Sequence, residues 1–130
     1  MVQYMLVALA GSVGAVLRYS VGIIVTPIWV GAFPLATFLA NAFGSFLLAF
    51  LSAVFEKNAW ISPLWQPAIT TGLIGSFTTF STFSVETVIL FRDHSPLAAL
   101  AYVMASGLTG FAFALIGFSL GSRISGEEVR

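Results

Sequence analysis

The chain has no cysteine in its 130 residues, which excludes a disulfide framework and any thiolate nucleophile or metal ligand. Charge is nearly as scarce. Only 8% of residues are charged, the five basic and five acidic side chains cancel, and no basic run offers itself to nucleic acid. The single histidine, His94, falls in the short polar turn RDHS and reads as a solvated loop residue. No pairing of a nucleophile with a base is evident, so the sequence does not read as an enzyme. The amino-terminal run MVQYMLVALAG lacks the charged n-region and small-residue cleavage site of a secretory signal, and is expected to stay as a first span. Long polar stretches are missing too. With no soluble domain or linker, function must reside in the apolar part of the chain.

That apolar part is most of it. Hydrophobic residues make up 58% of the sequence, far above ordinary soluble usage, and the chain reads as an all-α membrane protein forming a single membrane domain over residues 1–130. Four stretches, at about 4–25, 33–55, 66–91 and 96–120, each approach the roughly 20 residues that cross a bilayer core. The breaks between them are short, carrying Pro27, then Lys57, Asn58 and Pro63, then the turn after Phe91. The tail GSRISGEEVR reads as a polar end that frays.

An even number of spans puts both termini on one face of the membrane, together with Lys57, Arg123 and Arg130. The other face holds Arg92 and, at the end of the first span, Arg18. So small a difference in basic residues instructs orientation weakly. The chain could insert one way with a modest bias, or both ways and pair as an antiparallel homodimer. Small residues favour association: Ala36, Ala40 and Gly44 recur every four residues on the second span, and Gly107 and Gly110 lie near one another on the fourth. The same stripes would also serve packing inside one chain.

Residues 70–86, TTGLIGSFTTFSTFSVE, organise the rest. This apolar span contains two glycines, eight hydroxyl side chains, Phe77, Phe80 and Phe83, and a carboxylate at Glu86. Lipid satisfies none of these polar groups, so the segment is expected to wall a polar pathway. Two backbone readings are open. The helix could break at residues 75–78, where glycine makes a break easy and freed carbonyls could hold a cation. Alternatively it could continue, with hydroxyls bonding back to preceding carbonyls.

Depth along the spans places other polar residues beside it. Asn41 and Phe83 each lie about eight residues, or about 12 Å, from the same membrane face, with Phe80 one turn deeper. Asn41 could line the path or simply bond between helices. Tyr102, Ser106 and Gly110 share a face of the fourth span at a comparable depth. Arg18 and Glu86 sit at similar depths on parallel spans, where a contact, direct or through other polar groups, would relieve both charges; Arg18 could instead snorkel to headgroups.

The lining so assembled has amide, hydroxyl and backbone N–H donors and no acidic ring, which suits a small anion. Phenylalanine edges are positive and can face an anion, although Phe77, Phe80 and Phe83 would also suit ordinary packing.

GSVGAVLRY at residues 11–19, TFLANAFGSF at 37–46 and GLIGSFTTFSTFSVE at 72–86 together resemble the Fluc family of bacterial fluoride channels. The resemblance covers all four spans, with Ala49 standing where the family often has glycine. It implies a dual-topology antiparallel homodimer that exports fluoride passively through the bacterial cytoplasmic (inner) membrane. By that pattern Phe80 and Phe83 would meet fluoride with their ring edges and Asn41 would hydrogen-bond it. Ser81, Thr82, Tyr102 and Ser106 would extend the polar track. A structural sodium ion would sit at the dimer centre on the carbonyls of Gly75 and Thr78 from both subunits. Two other classes compete: a small multidrug-type proton-coupled exporter, which wants an acid on the first span where Arg18 stands, and a structural membrane subunit.

Overall fold

The computed structural model describes residues 1–57 and 62–127 of the chain; Asn58 and Arg130 fall outside them, as does the side chain of Lys57. Four helical spans are long and apolar enough to cross a membrane. We label their parts α1 (Val2–Val25), α2 (Leu35–Lys57), α3 (Ala68–Ile74 continuing into Gly75–Phe77), α4 (Ser81–Ile89) and α5 (Pro96–Glu127). α1, with 24 residues, reaches about 36 Å, enough to cross the hydrocarbon with its ends in the headgroups. α5 outruns its expected end. Of the polar tail GSRISGEEVR, the described part through Glu127 holds no proline and is helical.

The third span is interrupted at the far end of the 75–78 stretch where a break was expected. Gly75 is helical at φ -62° and ψ -32°, and Thr78 is the residue that swings into extended backbone at φ -78° and ψ 160°. No described glycine has positive φ, so conformational freedom at Gly75 does not make the break. Hydroxyl and amide partners satisfy the backbone there. Before the break, Ala68–Ile74 is wound as a π-helix, and a second π-helical turn, Leu90–His94, follows α4.

Two helix pairs build the protomer: α1 lies along α3, and α2 lies along α5. Backbones touch in both. A Cβ at Gly14 would collide with the Leu73 carbonyl, and one at Gly72 would lie 2.6 Å from the Val7 carbonyl. On the other pair, a Cβ at Gly117 would collide with the Phe46 carbonyl and one at Gly121 would lie 2.5 Å from that of Phe50. Such contact gains dispersion where lipid offers no hydrophobic drive. The stripe on α2 is used internally, with Ala40 1% exposed and Gly44 receiving the methyl of Thr78. Gly107 has open space around it.

Large apolar side chains mostly face outward, as lipid permits, and the buried positions are chiefly small. Besides Phe55 and Ile74, the larger buried side chains gather in a cluster of Leu90, Ala99 and Tyr102, packed by Phe33, Phe38 and Phe83. It ties the end of α4 to the start of α5.

Candidate functional site at the helix break

The break leaves backbone groups that a continuous helix would pair, and side chains supply their partners. Asn41, projecting from α2, serves Thr79 twice: its Nδ2 donates to the Thr79 carbonyl at 2.9 Å and its Oδ1 accepts from the Thr79 N–H at 2.8 Å. Thr79 then caps α4. Its Oγ1 accepts from the Thr82 N–H at 3.2 Å and donates to Thr82 Oγ1 at 3.1 Å, with Ser81 Oγ 3.3 Å away. On the α3 side the Thr78 hydroxyl lies 3.2 Å from the Ile74 carbonyl and 3.3 Å from that of Gly75. Arg18 Nε reaches over from α1 and donates to the Ser76 carbonyl at 3.2 Å.

Thr79 borders two cavities. One, of about 360 Å³, is a groove walled by Asn41, Thr78, Thr79, Phe80, Phe83 and Ser106, with Gly107 and Gly110 along its margin. The other, of about 680 Å³, lies between α1, α2 and α4 and presents Arg18, Thr37, Thr79, Thr82 and Glu86. The clamp of Asn41 on Thr79 therefore stands in the wall between them. The positive N-terminal end of α4 opens at the same place.

In the groove Phe80 is 79% exposed, while Phe83 is half-buried. Their centroids lie 6.1 Å apart with a 37° tilt. Ser106 Oγ is buried and, among the described residues, has no hydrogen-bond partner. A buried hydroxyl of that kind calls for a ligand, a water or a second chain.

The sequence-derived residues divide into two groups. Asn41, Phe80, Phe83 and Ser106 meet in the groove, and Ser81 and Thr82 meet at the cap of α4. Tyr102 does not open onto the groove. It is 0% exposed, donates to Glu86 Oε2 at 2.8 Å and packs edge-on against Phe33 with centroids 5.3 Å apart. Glu86 Oε1 accepts from the Thr37 hydroxyl, also at 2.8 Å. A direct contact of Arg18 with Glu86 is not found among the described bonds: both border the larger cavity, but Arg18 turns to Ser76 and Glu86 to Thr37 and Tyr102.

Gly75 and Thr78 offer carbonyl oxygen, a hard donor suited to a cation such as sodium, and no cluster of three His, Cys, Asp or Glu competes for a metal among the described residues. Two carbonyls from one chain cannot complete a coordination shell, so these donors fit the ion only if a second chain adds its own.

Thr79 and Thr37 were not singled out from the sequence, although signals existed. Thr79 stands three residues before Thr82 at a helix start, where a hydroxyl can accept a first-turn N–H, and Thr37 is one helical turn from Asn41 on the same face.

A helical membrane protein with an interrupted span, backbone groups held by side chains and polar cavities on both sides of the break belongs to the class that moves solutes through the bilayer. Residues 5–118 match the family described as CrcB-like protein, Camphor Resistance (CrcB). The chain is 43% identical over 127 residues to the fluoride-specific ion channel FluC of Oceanobacillus iheyensis, covering 95% of each. It is 45% identical to FluC 2 of Bacillus subtilis strain 168, covering 98% of this chain and 93% of the relative. To FluC 2 of Staphylococcus saprophyticus it is 40% identical, over 95% and 99%. This chain belongs to that CrcB-like family.

Proposed function

We propose that the protein is a fluoride-selective channel, an antiparallel homodimer that lets fluoride leave a bacterium passively across its cytoplasmic membrane. The observation that carries this reading is the groove at the break, where exposed Phe80, the Asn41 amide and the unpartnered Ser106 hydroxyl converge without an acidic side chain. Fluoride, small and strongly hydrogen-bonding, would exchange water for the second Nδ2 hydrogen of Asn41, the Ser106 hydroxyl and the positive ring edges of Phe80 and Phe83. Ser81 and Thr82 would continue the donors toward the larger cavity. Tyr102 would act at one remove, by holding Glu86.

A second copy would complete the same arrangement. The groove is open on one side, and Gly107 at its margin leaves room for a close helix. Antiparallel pairing would give two grooves and bring two sets of Gly75 and Thr78 carbonyls together, where a structural sodium ion would lock the dimer. Passive conduction forms and breaks no covalent bond, so no catalytic residue is assigned.

Efflux from liposomes tests this. Purified protein in vesicles loaded with fluoride or chloride, with an ionophore carrying potassium, should release fluoride fast, without a proton gradient, and retain chloride. Organic-cation movement driven by protons would support the exporter instead, and no flux from folded protein the structural subunit.

A further inference from the structure

An anion that crosses a helix break meets two helix ends of opposite polarity. The start of α4 offers N–H groups and attracts it, whereas the end of α3 offers carbonyls and repels it. The carbonyls of Ile74 and Gly75 are engaged by the Thr78 hydroxyl. Ser76 is different. Its carbonyl would pair with the N–H of residue 80 in a continuous helix, and the extended backbone at Thr78 removes that option. The partner it has is the Arg18 guanidinium of α1, at 3.2 Å.

Arg18 is also a wall of the larger cavity, beside Thr79 and Thr82, so the same side chain touches both the break and the space from which an ion would approach it. Glu86, the carboxylate on that cavity, has each oxygen bonded to a hydroxyl instead. We infer that Arg18 is a positioning residue for conduction: it anchors the end of α3 through the Ser76 carbonyl and covers that carbonyl's negative field, so that a passing anion faces donors. The inference rests on the fluoride reading for its consequence, but the anchoring itself does not.

Guanidinium suits this task better than an ammonium. Nε and the two Nη groups lie in one plane, so one edge can bond the carbonyl while the others remain in the cavity; lysine brings a point charge with no such fork. A charge that only gathered anions would act differently from an anchor. Gathering raises local concentration, and a high fluoride concentration replaces it. Anchoring sets the rate of passage itself, which concentration cannot restore.

The experiment is fluoride flux against fluoride concentration for the parent, Arg18→Gln and Arg18→Lys dimers in liposomes, with hydrogen exchange of residues 74–84 measured on the same preparations. Loss of one charged hydrogen bond should lower the maximal flux of Arg18→Gln about tenfold or more, with half-saturation unchanged. Exchange over residues 74–84 should rise, and Arg18→Lys should fall between the two. Flux that recovers fully at saturating fluoride, or parental exchange in Arg18→Gln, would overturn the inference. If Arg18→Gln fails to assemble, Arg18→Lys decides alone: parental flux and exchange would show that the planar anchor is dispensable. A parent with no fluoride flux would remove the channel reading, while the exchange comparison would still test the anchor.

Discussion

The side-chain amide of Asn41 and the backbone of Thr79 exchange two hydrogen bonds, at 2.8 and 2.9 Å, across the interface of α2 with the third span. The geometry resembles one rung of a sheet with a side chain in place of the partner strand. It satisfies a donor and an acceptor that lipid would leave bare, and it uses one Nδ2 hydrogen, leaving the other for the groove.

Replacing that amide separates structure from conduction. Asn41→Asp keeps an acceptor for the Thr79 N–H, loses the donor and adds negative charge beside the groove; if anions pass there, flux should fall at least ~100-fold, about 3 kcal/mol of barrier. Asn41→Leu loses both bonds and should also destabilise the protein by about 2 to 3 kcal/mol. Liposome efflux paired with thermal unfolding in detergent checks both.

Thr79 is the cap of α4, and its hydroxyl is the part that matters. Thr79→Val preserves shape and removes the acceptor of the Thr82 N–H, which should cost about 1 kcal/mol and loosen the first turn of α4. Thr79→Ser should be close to parental. Amide exchange at residues 81–84 is the measurement.

The spans, the interruption and the approach of Asn41 to Phe80 and Phe83 were legible because hydropathy sets length and a rise of about 1.5 Å per residue sets depth. What was not legible follows from local chemistry. The break falls within the expected residues 75–78, at Thr78 rather than at Gly75, since glycine permits an irregular backbone without requiring one. Thr78, Thr79 and Asn41 supply hydrogen bonds that require it. Tyr102 shares a helical face with Ser106, but face alone does not reveal that Glu86 lies within reach and turns the phenol inward. Gly117 and Gly121 escaped notice because their role depends on which helix lies opposite.

Phe80 should tolerate bulk but not loss of its ring. It is 79% exposed in the protomer, so Phe80→Ile creates no cavity in the described core and should fold and assemble. Removing the positive ring edge should reduce fluoride flux about tenfold or more while chloride exclusion persists. Parental flux would take Phe80 out of the pathway.

Thr37 and Tyr102 hold opposite oxygens of Glu86, so their substitutions should couple. Thr37→Val or Tyr102→Phe alone should each destabilise by about 1 to 3 kcal/mol, because the carboxylate keeps only one donor. The double variant should depart from the sum by about 0.5 kcal/mol or more. Thermal unfolding of the four proteins gives that coupling directly.

Two glycines on one helix distinguish packing inside the protomer from packing between protomers. Gly117 is pressed against the Phe46 carbonyl, so Gly117→Val forces α2 and α5 apart and should prevent folding. At Gly107 an added Cβ would meet nothing within 4 Å, so a valine there has open space in the isolated protomer. If the groove face is where two copies meet, Gly107→Val should leave helix content parental and shift the purified protein from dimer to monomer. Light scattering in detergent reads the mass. A parental dimer carrying valine at position 107 would move the interface away from the groove, and with it the expectation that a partner chain helps to close the ion path.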